Sequence, residues 1–364
     1  MHLSTIRLVD FRNYADSSVT FPADGFALVG PNGSGKTNFL EAIHVLCIGR
    51  SQRGATRTAM IAAGRTACCI EGRFRGAAGE SHDATIGFSA DRRSRMQYDG
   101  AVIESFSRWF THGAVVSFGP DDIRLVGGSP SERRRFLDML ISQIDPRYMD
   151  CLAGYVRALA NRNRLLASGA PGALFETYEA AMAAHAAYLY RMRHEIVAFC
   201  QPIFEEFHRE ICGGSECGSI DFRPSVCGME SGSEEGQNVF YNILKNKRKD
   251  DVLQGRTTTG PHRDDIVFFL DGKPARAIAS QGQCRTLALS LRMSSVVCLE
   301  RHKNEPLMFL VDDAFSELDG ERTARLMPLL RNRGQVCAAV PEGRVPAGMD
   351  MAQFTVCKGS IHPR

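Results

Sequence analysis

Residues Gly30, Pro31, Asn32, Gly33, Ser34, Gly35, Lys36 and Thr37 spell a complete phosphate-binding loop of the form G-x-x-x-x-G-K-T. The pattern restricts the fold tightly, because it works only where a buried strand hands over to a helix. Both neighbours fit. Phe26-Ala27-Leu28-Val29 is a short apolar run suited to a buried strand, and Phe39, Leu40, Ile43 and Leu46 recur at helical spacing from Thr37 to Cys47. In such a loop successive backbone N–H groups wrap a polyphosphate, Lys36 reaches the β- and γ-phosphates and Thr37 offers its hydroxyl to Mg²⁺. The helix N-terminus adds its dipole.

The second half of such a site lies far downstream. Leu307-Met308-Phe309-Leu310-Val311-Asp312-Asp313 is an apolar run ending in two carboxylates, the form of a Walker B strand. Asp312 would hold Mg²⁺ directly or through water, and Asp313 would orient or deprotonate the attacking water. The separation of Lys36 from Asp312 means that a large insertion divides the core. Just before this strand stands Ser280-Gln281-Gly282-Gln283, with Ser at the N-cap and Gln at N3 of a helix through Leu287, Leu291 and Val296. ATP-binding-cassette ATPases place a Ser-Gly-Gly-Gln-like signature at this point, and its helix N-terminus meets the γ-phosphate held by another protomer. Ser316-Glu317-Leu318-Asp319 resembles their D-loop. The expected catalytic set is therefore Lys36, Asp312, Asp313, Ser280 and Gln283, split between two copies of the chain, with ATP and Mg²⁺ between them. ATP would join the heads and hydrolysis release them, a switch with weak turnover in a lone copy.

At 364 residues the chain has room for two structural units, and its apolar and charged fractions, 44% and 23%, are those of an ordinary globular protein. No signal-peptide core and no membrane-length apolar run is present, so a cytoplasmic, membrane-free protein is expected. The 12 cysteines are scattered and form no C-x-x-C pair, which favours reduced packing residues over a disulfide framework or zinc site. Net charge is only +3, yet Lys occurs at just seven positions and Arg clusters at 50/53/57, 92/93/95 and 133/134/135. Arg forks bind phosphate bidentately, so Arg53 and Arg57 are candidates for a DNA backbone; a solvated face is the competing explanation.

Along the chain, Met1 to Phe11, Ala67 to Phe74, Ala84 to Ser89 and Arg95 to Phe106 read as strands, the last turning at Asp99-Gly100. Ser129-Pro130-Ser131-Glu132 opens a helix with a capping box, and long helical patterns follow over Pro146 to Leu166 and Ala173 to Ile211. Arg162, Asn163 and Arg193 fall among these, on solvated faces or helix contacts. Residues 217–236 read as loops with one short strand at Ser219 to Phe222. A helix over Gln237 to Lys249 comes next, and α/β character returns at Gly260-Pro261-His262-Arg263-Asp264-Asp265 and the strand Ile266 to Leu270.

Taken together, Phe11-Arg12-Asn13-Tyr14, the phosphate loop, Pro120 to Val126, Gly128-Ser129-Pro130-Ser131-Glu132-Arg133-Arg134-Arg135-Phe136-Leu137-Asp138, Arg162-Asn163, Gly260 to Asp265 and the signature and Walker B segments resemble one family. The chain is similar along nearly its whole length to the bacterial RecF DNA replication and repair proteins, relatives of the SMC-type ATPase heads. The resemblance implies an α/β fold: an ABC/SMC-type P-loop ATPase head with an antiparallel β subdomain and an inserted, mainly helical lobe. Residues 1–126 and 255–364 would form the head and 127–254 the lobe. It also implies a homodimer on ATP that binds duplex DNA beside single-stranded gaps and works with RecO and RecR to load RecA in gap repair and the SOS response. Two departures stand out. Where cassette ATPases follow the next strand, here expected over Gly334 to Ala338, with a γ-phosphate-sensing Thr or His, this chain reads Cys337-Ala338-Ala339-Val340-Pro341, and Asp313 replaces a common Glu. The role of His262, nucleotide or DNA contact against a structural turn residue, stays open. A transporter-type cassette ATPase and a scaffold with a degenerate phosphate site are the rival classes.

Overall fold

The computed structural model describes residues 2–76, 79–91, 93–109, 114–168, 173–229, 234–303, 307–313, 330, 332–342 and 351–364. The chain forms two compact units, one from Met1–Asp122, Ile211–Gly213 and Ser295–Arg364, the other from Ile123–Glu210 and Gly214–Ser294. They change over at 122 and 294, whereas the sequence suggests 126 and 254. The difference at the second boundary has a local cause: the sheet built from 218–274 pairs and packs within the second unit.

The first unit holds two six-stranded sheets. In one, the phosphate-loop strand Gly25–Gly30 lies parallel between Ala352–Cys357 and Gly334–Pro341; Leu307–Asp312 and Val115–Phe118 follow in parallel, and Ser360–Pro363 closes the other edge antiparallel. All six residues of Gly25–Gly30 are buried, as a parallel strand covered on both faces requires. Phe21 stacks on Phe26 with ring centroids 3.7 Å apart, and Phe39 and Phe354 meet this pair edge-on.

The other sheet is wholly antiparallel, in the order Tyr14–Thr20, His2–Phe11, Ala67–Arg75, Ser81–Ser89, Ser94–Tyr98, Ala101–Val102. Strict alternation in Ala67–Arg75 puts Cys68, Ile70, Gly72 and Phe74 on the buried face. The expected hairpin at Asp99-Gly100 forms, with φ of 48° and 78° at the two turn residues. Its return strand ends at Val102 instead of reaching Phe106. A short helix, Phe106–Trp109, takes over, where buried Trp109 donates its indole N–H to the Leu46 carbonyl at 2.9 Å.

The second unit is mainly helical, with Pro130–Ile144, Pro146–Ser168 and the 40-residue Ala173–Cys212. Glu132 reaches back to the Ser129 N–H at 2.8 Å, the half of the capping box that its N3 position predicts. The expected helix over 237–249 divides at Lys247 into Glu234–Asn246 and Arg248–Gln254. A small antiparallel sheet joins Gly218–Arg223, Asp265–Leu270 and Lys273–Pro274.

Of the two placements expected for Arg162 and Arg193, solvated faces or helix contacts, the structure shows the second, with both side chains buried between helices. Arg162 is fully buried, bonded to Glu179 (3.1 Å), Asp251 (2.7 Å), Thr257 and the Leu244 carbonyl. Arg193, equally buried, binds Asp138 and Asp264 (2.8 Å each), the Tyr148 hydroxyl and the Pro261 carbonyl. A guanidinium's five donors are all satisfiable by such a ring of acceptors, which is what makes its burial tolerable. Arg133 forks onto Asp265 at 2.6 and 2.9 Å, and Arg134 donates to the Asp264 carbonyl. The two segments most specific to the resemblance thus bind each other. His262 has a structural place here. Its Nε2–H donates to the Thr257 carbonyl at 3.1 Å and its Nδ1 accepts from the Tyr155 hydroxyl at 2.8 Å, while burial pushes its pKa down to about 4 and keeps the ring neutral.

Among the described residues no helix is long and apolar enough to cross a membrane. Cys47, Cys68, Cys200, Cys284, Cys298 and Cys337 are buried, in keeping with packing roles.

Candidate functional site

The strand Gly25–Gly30 ends at the loop, and the helix Lys36–Ile48 begins directly after it with Gly35 as N-cap. Gly33 and Gly35 take φ of 78° and 118°, and a Cβ on Gly35 would stand 2.5 Å from the Asn13 amide nitrogen. Only glycine fits there. The Ser34 hydroxyl is buried without a hydrogen-bond partner, and Lys36, buried along its stem, donates to the Gly30 and Pro31 carbonyls at 2.7 and 2.9 Å. Burial lowers the Lys36 pKa, and the nearby Asp313 and Asp312 carboxylates oppose that shift.

Thr37 donates its hydroxyl to Asp312 Oδ1 at 3.0 Å, across 275 residues of sequence. The Walker B strand Leu307–Asp312 is one strand removed from the loop strand, with Gly334–Pro341 between them, and the pairing of Val340 with Val29 and of Ala339 with Asp312 keeps all three ends level. Burial raises the Asp312 pKa, the Thr37 hydrogen bond pulls it down, and Asp313 raises it again. Asp313 itself sits in left-handed backbone at φ 50° and donates its N–H to the Ala339 carbonyl at 3.0 Å.

These features suit a nucleotide and a hard cation. The loop offers a helix N-terminus, a buried lone hydroxyl and a desolvated ammonium, while Thr37 and Asp312 supply two oxygen donors of the kind Mg²⁺ takes. Strand Gly334–Pro341 continues past Ala338, so Cys337 to Val340 are buried inside it. Its end beside Gly30 carries Val340 and Pro341, whose side chains have no donor for a terminal phosphate.

Ser280 and Gln283 lie in the second unit, where they close the expected capping box: the Ser280 N–H donates to Gln283 Oε1 at 2.8 Å and the Gln283 N–H to Ser280 Oγ at 3.3 Å. Gln283 also donates to Glu216 at 2.7 Å, and at the start of the helix Gln281–Lys303 Ser280 and Gln281 are exposed while Gly282 and Gln283 are half-buried. The DNA candidates separate. Arg53 is exposed and donates to Asn38 at 3.5 Å, close enough to Asp312 to lower its pKa, whereas Arg57 packs its guanidinium 4.8 Å over the Phe106 ring. The D-loop residues 316–319 and Arg92 lie outside the described residues.

What sequence patterns do not assign is the hairpin of Phe11-Arg12-Asn13-Tyr14. Tyr14 donates its hydroxyl to the Gly35 carbonyl at 2.9 Å and Asn13 its amide to the Ser34 carbonyl at 3.1 Å, so this turn grips the loop from outside the motif. Only the unusual polarity of an otherwise strand-like run hints at it.

A family model described as the RecF/RecN/SMC N terminal domain matches residues 2–340. The DNA replication and repair protein RecF of Chlorobium luteolum is 32% identical, covering 99% of both chains, and that of Halalkalibacterium halodurans is 34% identical, covering 92% of this chain and 91% of its own. A solved structure of the recombination mediator protein RecF-ATP in the RecFOR pathway superposes with a TM-score of 0.90 at 28% identity, covering 100% of this chain and 97% of that one. The Smc head domain of Pyrococcus furiosus, at 16% identity and a TM-score of 0.56, shares the fold alone. The mixed α/β head, the antiparallel sheet beside it and the two halves of the phosphate site thus occur in a chain that belongs to the RecF family of DNA replication and repair proteins.

Proposed function

We propose that this chain is an ATP-dependent, DNA-binding switch of recombinational repair and replication, in the cytoplasm. The observation that carries the reading is the 3.0 Å approach of Thr37 to Asp312 beside Lys36, which brings together from distant parts of the sequence the residues that would form a magnesium–triphosphate site. Gly30, Pro31, Asn32, Gly33, Ser34 and Gly35 would wrap the phosphates, and Lys36 would exchange its two loop carbonyls for phosphate oxygens. Thr37 and Asp312 would hold Mg²⁺, which supplies charge neutralisation at the transferring phosphoryl group. Asp313 would orient water. With a short acid there and no donor at Val340 or Pro341, hydrolysis would be slow and serve to end a bound state.

The helix N-terminus capped by Ser280 and Gln283, with Ser280 and Gln281 exposed, would meet the triphosphate of a second copy, so that two chains complete two sites. In Ser280→Arg, a long cation replaces the cap, and ATP affinity should stay near wild type while ATP-dependent sedimentation as a dimer disappears. Unchanged dimerisation would remove Ser280 from the interface.

The paired heads would hold duplex DNA next to single-stranded gaps and act with RecO and RecR to load RecA, a reading supported by kinship with recombination mediators. Arg53 is an exposed basic group that reaches Asn38 on the loop helix. Arg53→Glu should weaken DNA binding and reduce the salt slope by about 1, as expected for one lost phosphate contact. An unaltered slope would return Arg53 to the nucleotide site or to plain surface. Sedimentation with and without ATP and a gapped duplex tests the whole reading: a chain that stays monomeric under saturation with both contradicts it.

A further inference from the structure

The grip of the Phe11–Tyr14 hairpin on the loop has a directional consequence. A trans peptide is planar, with its C=O and the following N–H pointing opposite ways. Tyr14 adds a second bond to the Gly35 carbonyl, which also accepts the Phe39 N–H at 2.9 Å, and Asn13 a second bond to the Ser34 carbonyl, which also accepts the Gly359 N–H at 3.4 Å, so the N–H groups of Lys36 and Gly35 are turned away from the hairpin. The hairpin itself is held in an unfavourable shape. Its two-residue turn, Arg12-Asn13, joins the Phe11–Tyr14 pair, and Arg12 sits at φ 53°, a left-handed region that a long side chain rarely takes.

Three contacts keep Arg12 there. Its guanidinium forks onto Glu41 at 2.9 Å for each bond, Nη1 donates to the Ala59 carbonyl at 2.7 Å and its backbone N–H to the Met60 carbonyl at 2.8 Å. Glu41 is fully buried and also accepts from the Ser51 hydroxyl. It stands on the same helix, Lys36–Ile48, that the loop opens, so the pair fastens hairpin and helix into one frame. Asn38 on that helix donates to Asn13 Oδ1 at 2.8 Å and fixes which way the Asn13 amide faces.

We propose that Asn13 and Tyr14, set in place by the Arg12–Glu41 pair, are positioning residues that pre-orient the Gly35 and Lys36 N–H groups toward the phosphates of the nucleotide. The proposal rests on the nucleotide-binding reading above and adds the part of the site that lies outside the loop motif. A preorganised donor costs no rearrangement when the anion arrives, whereas a peptide held by one bond fewer must be ordered at the expense of affinity.

The test is titration of wild type, Tyr14→Phe, Asn13→Ala and Lys36→Met with a fluorescent ATP and a fluorescent ADP, alongside the nucleotide-free thermal midpoint. Tyr14→Phe removes one oxygen and keeps the ring against Phe39. It should raise both dissociation constants about tenfold, the range of one lost hydrogen-bond constraint, with the midpoint moved by less than about 4 °C. Asn13→Ala should behave alike. Affinities within about twofold of wild type in both variants, or losses that appear only with a collapsed midpoint, overturn the proposal. Wild type that binds while Lys36→Met does not keeps the nucleotide reading intact in that case; wild type that binds neither nucleotide overturns both.

Discussion

Replacing Lys36 with Met should weaken ATP binding by about two orders of magnitude, the scale of a charge-assisted phosphate contact in a desolvated loop, and should abolish ATP-dependent dimers. The side chain is 8% exposed, and Met preserves its unbranched stem, so the fold should survive. What is lost is the ammonium, which is partly desolvated and, among the described residues, bonds to two loop carbonyls and faces two carboxylates. Without it, Asp312 and Asp313 meet an incoming triphosphate with uncompensated charge. Nucleotide titration and sedimentation of the same sample give both readouts. Dimers that persist with ATP would show that Lys36 is dispensable and would shift the nucleotide-dependent function elsewhere.

Arg162→Met should be the most destabilising single change in the second unit, by about 3–5 kcal/mol, the cost of breaking a buried ion pair on one side only. Arg162, Glu179 and Asp251 are all fully buried. Arg248 would still bond Glu179, yet among the described residues Asp251 would keep only the Thr258 hydroxyl and backbone N–H, leaving a buried carboxylate without its cation. The loss should appear as a lower urea midpoint at unchanged slope. Adding Asp251→Asn should recover part of it, because the neutral amide needs no counter-charge. A loss under about 1 kcal/mol in Arg162→Met would place this network among the weak surface pairs.

The sequence by itself determined the local chemistry of the site. The phosphate loop, its helix, the Walker B strand, the Asp99-Gly100 hairpin and the Ser280–Gln283 cap each depend on neighbours within a few residues, where glycine φ freedom, apolar periodicity and capping hydrogen bonds act directly. Strand ends were less legible: nothing local in Cys337 to Pro341 says that the strand passes Ala338, because its partners Gly25–Gly30 and Leu307–Asp312 supply the ladder. Tertiary structure alone decided the fate of the charges. An arginine reads the same in sequence whether water or a buried carboxylate surrounds it, and Arg133, Arg162 and Arg193 found acids 132, 89 and 71 residues away. Thr37 met Asp312, and Tyr14 and Asn13 closed on the loop, for the same reason: long-range contacts are fixed by which elements pack together, and only the folded core specifies that.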